Sequence, residues 1–113
     1  MLEKIKRQYQ YVISNSEYYK NKFKSVREFK AIEDFNKLPF TTKNEILSDQ
    51  ENYPPFGSNL CVSIQNIQRI HKTSGTTNKP VMIALTHNDI QHTVEVGADC
   101  FISSGLKRSD LVV

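Results

Sequence analysis

Apolar positions in the first third of the chain fall at helical spacing. Leu2, Ile5, Tyr9, Val12 and Ile13 share one face of a helix read over Leu2–Ile13, with charged residues between them. Ser16-Glu17 restarts a helix that turns Tyr19 and Phe23 inward. Glu33–Asn36 reads as a short helical turn. Leu38-Pro39-Phe40 breaks it, because proline disfavours helix in the residue before it. Thr42 followed by Glu45 is a capping-box pair and predicts a helix over Lys43–Asp49. Tyr53–Gly57 contains Pro54-Pro55, and prolines without N–H donors exclude regular structure there.

Beyond residue 57 the pattern changes. Short runs of β-compatible residues predict strands at Cys61–Ile64, Ile67–His71 and Val81–Leu85. Thr86 caps the next helix, with Asp89 at its third position near the positive end of the helix dipole. Ile90, Val94, Ala98 and Phe101 form that helix's apolar stripe, and Gly105 is suited to end it. Asp110 leads into a last strand-like run, Ser109–Val113. A helical segment followed by strand–loop–strand–helix–strand is an α/β class. Two regions are expected: residues 1–57 mainly helical, and 58–113 α/β.

Length and charge narrow the reading. The 113 residues make one domain at most and bury a modest core. Fifteen basic residues against twelve acidic ones is a mild imbalance. Lys4, Lys6, Arg7, Lys20, Lys22, Lys24 and Arg27 lie among Tyr9, Tyr11, Tyr18 and Tyr19, a mixture that nucleic-acid binders use. Glu3, Glu17, Glu28 and Glu33 interleave with them, so a solvated face of an amphipathic helix is favoured and no nucleic acid is expected as a partner. Cys61 and Cys100 sit beside apolar residues without a CxxC or Cys/His metal pattern, and read as buried free thiols. The first residues are polar, and no apolar run nears the roughly 18 residues a membrane span needs. A reduced, cytoplasmic setting without a membrane partner is the expectation.

Candidate chemistry concentrates at Lys72-Thr73-Ser74-Gly75-Thr76-Thr77-Asn78-Lys79-Pro80. Hydroxyls, a glycine, a turn-compatible asparagine and a lysine stand between two apolar runs. Gly75 and Asn78 take positive φ at low cost, so backbone N–H groups can converge on an anion. The spacing is not that of a Walker A loop, which has a second glycine directly before Lys-Ser/Thr. On composition alone such a cluster between strands is more often an ordinary hairpin turn. His71, at the loop's start, reads as a strand-end residue that orders the loop. His87 and His92 lie five apart on a helix and do not face each other, and neither makes a metal site with a neighbour. Tyr53 and Phe56 most simply pack the helical region, with a place in the wall of a pocket as the alternative for either.

From Ile70 through Lys79-Pro80 and on to Thr86-His87-Asn88-Asp89-Ile90, the sequence resembles the phosphate-loop region of adenylate-forming (AMP-binding) synthetases and ligases. Ser16–Phe23, Leu38–Lys43 and Tyr53–Gly57, in that order, resemble the phenylacetate–CoA ligase-like branch of that superfamily. The resemblance runs from about Tyr9 to Val113. It implies part of the N-terminal domain of a protein several times longer, with the phosphate loop at residues 72–80. It implies that ATP, with Mg2+ held by a residue outside this chain, activates a small carboxylic acid as an acyl-adenylate, and that coenzyme A then takes the acyl group. Thr73, Ser74, Gly75, Thr76 and Thr77 would contact phosphate, and Lys79 would supply charge at the loop's end. A solvent-exposed lysine is the equal alternative for Lys79. The family usually has glycine where Asn78 stands; asparagine is the best non-glycine occupant of a left-handed position, so the turn remains accessible. The chain alone is not expected to complete the reaction. The competing expectation is a non-catalytic remnant that binds a partner, or a nucleotide weakly.

Overall fold

The computed structural model describes residues 2–26, 28–74 and 79–112. The proposed loop positions Gly75, Thr76, Thr77 and Asn78 lie outside the described residues, as does Val113.

Helix α1 (Leu2–Asn15) and helix α2 (Glu17–Lys22) form the helical third. The break between them is Ser16, extended at φ −114°, whose hydroxyl accepts the Tyr19 N–H at 3.3 Å as an N-cap. The predicted inward face of α1 is the observed one. Tyr9 is buried with Val26 and Phe29, and Leu2, Ile5, Ile13, Phe23 and Leu38 pack around them. Tyr9 stacks on Phe23 with ring centroids 6.2 Å apart and tilts against Phe29 at 5.5 Å. Its hydroxyl donates to the Val26 carbonyl, so the ring carries no unsatisfied polar atom into the core.

A 3-10 turn, Ile32–Lys37, follows, and Asp34 accepts the N–H groups of Lys30 and Ala31 at 2.8 and 2.9 Å. Helix α3 (Lys43–Asn52) begins at the predicted capping box, with Thr42 N–H donating to Glu45 at 2.7 Å and Glu45 N–H to the Thr42 hydroxyl at 3.3 Å. It runs past the expected end at Asp49 to Asn52. Its buried residues are polar, Asp49 and Gln50, so hydrogen bonds rather than an apolar stripe seat it.

Two strands form an antiparallel hairpin: β1 (Arg69–Lys72) and β2 (Met82–Leu85). Their register pairs Arg69 with Leu85, Ile70 with Ala84, His71 with Ile83 and Lys72 with Met82. Helix α4 (His87–Ser103) follows directly from β2. The Thr86–Asp89 capping box opens it, with contacts of 2.7 and 2.8 Å from Thr86 to the Asp89 carboxylate. Gly105, at φ +92°, closes it. Gly105 N–H reaches the Ile102 carbonyl at 2.9 Å and Leu106 N–H the Phe101 carbonyl at 3.0 Å, the paired bonds of a Schellman ending.

Three expectations change. Cys61–Ile64 is not a strand: Ser63 caps a 3-10 turn, Ile64–Asn66, by accepting the Gln65 N–H. Leu111 and Val112 are not in a strand either, since an extended run becomes one only by pairing and the described residues give it no partner. The stripe on α4 is present but not buried: Val94 and Phe101 are exposed. Cys100 is an exposed thiol rather than a buried one, because it stands on this uncovered helix.

Candidate functional site

Beyond its two strands the hairpin continues as two arms, Thr73–Ser74 leading and Lys79–Val81 trailing. Register continues one pair beyond the strands, where Thr73 meets Val81. Thr73 N–H donates to the Val81 carbonyl at 3.1 Å, and Val81 N–H donates to the Thr73 hydroxyl at 2.9 Å. A side chain thus takes the place of a main-chain carbonyl and zips the loop shut at its base. Ser74, on the leading arm, is exposed.

On the trailing arm Lys79 is exposed and pairs with Glu51 of α3 at 2.7 Å. The hydrogen bond to Glu51 and its negative charge raise the lysine's pKa, so the ammonium is charged across the neutral range. Lys72 stands at the end of β1 opposite Met82. Two lysines therefore flank the loop. His71 sits within β1 opposite Ile83, a strand residue as expected.

Helix α3 holds the trailing arm from beside. The Gln50 side chain bonds both backbone groups of Met82, and Glu51 holds Lys79. Asp49 binds the 53–58 segment. Its carboxylate accepts the Ser58 N–H at 2.7 Å and the Ser58 hydroxyl at 2.6 Å. The Ser58 carbonyl in turn accepts the Tyr18 N–H at 3.2 Å. One turn of α3 thereby ties the loop arm to the 53–58 segment and, through it, to α2. The anchoring by Gln50 and Asp49 was missed in the sequence; both are polar residues at the end of a helix, where solvent exposure is the ordinary reading.

An open groove of about 980 Å³ lies between α1, the 59–68 segment, β2 and the start of α4. Tyr11, Gln65, Gln68, His87 and His92 line it, and Phe56 contributes a buried face. Tyr53 is not part of its lining and is exposed. Asp89 is held below the usual carboxylate range, first by the Thr86 hydroxyl, then by the Thr86 N–H, with a smaller contribution from His92. It is therefore a cap, as its spacing suggested. Among the described residues no three His, Cys, Asp or Glu side chains assemble a possible metal site, and no helix is long and apolar enough to cross a membrane.

Thr73 and Lys79 are thus brought to the base of one loop, with Ser74 beside them. No family model matches the chain. Among curated proteins, phenylacetate–coenzyme A ligase of Aromatoleum evansii is 33% identical over 98% of this chain and 25% of its own length. The Thermus thermophilus enzyme of that name is 30% identical over 93% and 23%. A solved structure of 2-hydroxyisobutyryl-CoA ligase, in an open conformation in complex with 2-HIB-AMP and CoA, superposes with a TM-score of 0.86 at 24% identity. That match covers 96% of this chain and 26% of the ligase. The same ligase in its thioesterification state gives 0.78 at 27% identity, over 86% and 21%. The chain spans about a quarter of the length of the curated relatives it matches. Over nearly its whole length the chain is similar in sequence to phenylacetate–coenzyme A ligases, and its fold matches about a quarter of an acyl-CoA ligase.

Proposed function

We propose that this chain carries the phosphate loop of an ATP-dependent acid–CoA ligase, as part of its N-terminal domain. Residues 1–57 serve as a helical support, and 58–113 carry the loop at 72–80. The zipped pair Thr73–Val81, with Lys79 on the adjoining arm, is the observation that supports this most directly. Thr73 offers a hydroxyl at the base of the loop, and Lys79, two residues before Val81, offers a charge that Glu51 holds.

The chemistry asked of the loop is limited. A carboxylate attacks the α-phosphorus of ATP, giving an acyl-adenylate and pyrophosphate. The loop orients the leaving pyrophosphate and offsets its developing charge. Thr73, Ser74 and Lys79 suit that task as O–H and N–H donors with one positive charge. Gly75, Thr76 and Thr77 complete the proposed contact set. ATP supplies the activating phosphoryl chemistry, and coenzyme A is the proposed acceptor. The Mg2+ ligand of this proposed reaction lies outside the chain.

Titration of inorganic pyrophosphate into the 113-residue chain, followed by amide shifts, tests the reading. Shifts should concentrate at Thr73, Ser74 and Lys79. Lys79→Ala should weaken binding about 3- to 10-fold, the value of one exposed charge-assisted contact. Acid-dependent ATP–pyrophosphate exchange is expected from a longer protein containing this chain and not from the chain alone. A flat titration sinks the phosphate-loop reading. It would favour a non-catalytic, partner-binding module, for which the exposed apolar stripe on α4 speaks.

A further inference from the structure

Gln50 is only 9% exposed, and it lies on a helix rather than in the hairpin it serves. Its Nε2 donates to the Met82 carbonyl at 2.8 Å and to the Phe56 carbonyl at 3.3 Å. Its Oε1 accepts the Met82 N–H at 3.0 Å. A primary amide that both gives to and takes from one residue's backbone satisfies that residue as a neighbouring strand would. The register explains why Met82 is available. Thr73 and Val81 exchange hydrogen bonds, so by alternation Lys72 and Met82 form the adjacent non-bonded pair. Met82's N–H and C=O therefore face away from β1, along the outer edge of β2, where Gln50 meets them.

The position matters because Met82 directly follows the trailing arm that carries Lys79. The arm is tied across to Thr73 on one side and, one residue on, to Gln50 on the other. Glu51, next to Gln50, holds Lys79 itself. We infer that Gln50 is a positioning residue for the phosphate loop: its amide docks the edge of β2 onto α3 and so fixes where the trailing arm presents Lys79 to an anion. This rests on the phosphate-loop reading above.

Two substitutions separate the hydrogen bonds from the packing. Gln50→Met keeps the volume and removes both bonds to Met82. Gln50→Glu restores both only when protonated. A neutral carboxylic acid offers a donor and an acceptor, whereas a carboxylate offers acceptors alone and meets the Met82 carbonyl. Its pKa should be raised by burial and by that carbonyl.

The experiment is titration of inorganic pyrophosphate into the full 113-residue chain, with Met82 amide exchange read on the same samples. Q50M should bind about 3- to 10-fold more weakly than wild type, and Met82 should exchange faster. Q50E should show that loss at about pH 8 and regain wild-type affinity at about pH 5, taken as a ratio to wild type at each pH. The ratio cancels the titration of pyrophosphate itself, and the charged neighbours Asp49, Glu51 and Lys79 are common to both proteins. A residue that merely fills space would give no such pH-dependent recovery.

Equal affinity in wild type and Q50M overturns the assignment and leaves the phosphate-loop reading standing. A wild-type chain that does not bind pyrophosphate overturns both. If Q50M fails to fold, the Q50E series decides: recovery at low pH supports the assignment, and a flat ratio overturns it.

Discussion

Gly57 shows how one residue underwrites the support beneath the loop. It stands at φ +86°, a conformation that residues with a side chain rarely adopt. A Cβ there would also stand against the Asp49 Oδ2, the atom that accepts the Ser58 N–H. Gly57→Ala therefore meets two penalties at once, backbone strain and a collision with a buried carboxylate. It should destabilise the chain by about 1–3 kcal/mol in a denaturant melt. An unchanged melt would mean that the 53–58 segment relaxes without disturbing Asp49. Gly57 was readable only as part of an irregular proline segment. The demand on it comes from Asp49, on a different element, and no local pattern announces such a contact.

Helix α3 is the element that ties α2 to the hairpin. Glu45 at its start pairs with Lys22 of α2, Asp49 holds Ser58, Gln50 holds Met82, and Glu51 holds Lys79. The Lys22 hydrogen bond is the largest cause that lowers the Glu45 pKa, followed by the Thr42 N–H and hydroxyl, and together they bring it to about 2. A depressed carboxylate contributes stability that is present above its unfolded value, about 4.3, and lost as pH falls through the folded one. Thermal stability should therefore drop between about pH 4.5 and about pH 2, and Glu45→Gln should flatten part of that drop. The same acid limb in both proteins would place the loss elsewhere. The helix starts were the most legible elements: Ser16, Thr42 with Glu45, and Thr86 with Asp89 carry their signals within three or four residues. Strand boundaries were less legible, since Cys61–Ile64 has strand composition and Ser63 diverts it into a turn. The leading and trailing arms of the loop were visible as a composition. Their attachment to α3 was not, because the partners lie far apart in sequence.

At the scale of the whole molecule the chain is open. Its radius of gyration is 17.1 Å, against about 13 Å for a compact domain of this size. The core gathers around Tyr9, Val26 and Phe29, while α4 stands clear of it. Phe29 is 4% exposed and Phe101 60%. Phe29→Ala should cost about 3–5 kcal/mol, whereas Phe101→Ser should change stability by no more than about 0.5 kcal/mol. Comparable losses from both would show that α4 packs in solution. The α4 stripe was legible as a pattern at helical spacing; that it stays uncovered was not, because periodicity reports which face is apolar and not what lies against it.

The hydroxyl that closes the loop has a direction. Thr73 Oγ1 receives the Val81 N–H, so one of its lone pairs is committed to the backbone. Its own proton is untouched by that bond, and receiving one hydrogen bond polarises a hydroxyl toward giving another. Residue 73 can thus be a hinge and a donor through a single oxygen, and the two roles reinforce each other. Serine would keep both. Valine, equal in shape, would lose both together, leaving the Val81 N–H without its acceptor and residue 73 without a proton to offer.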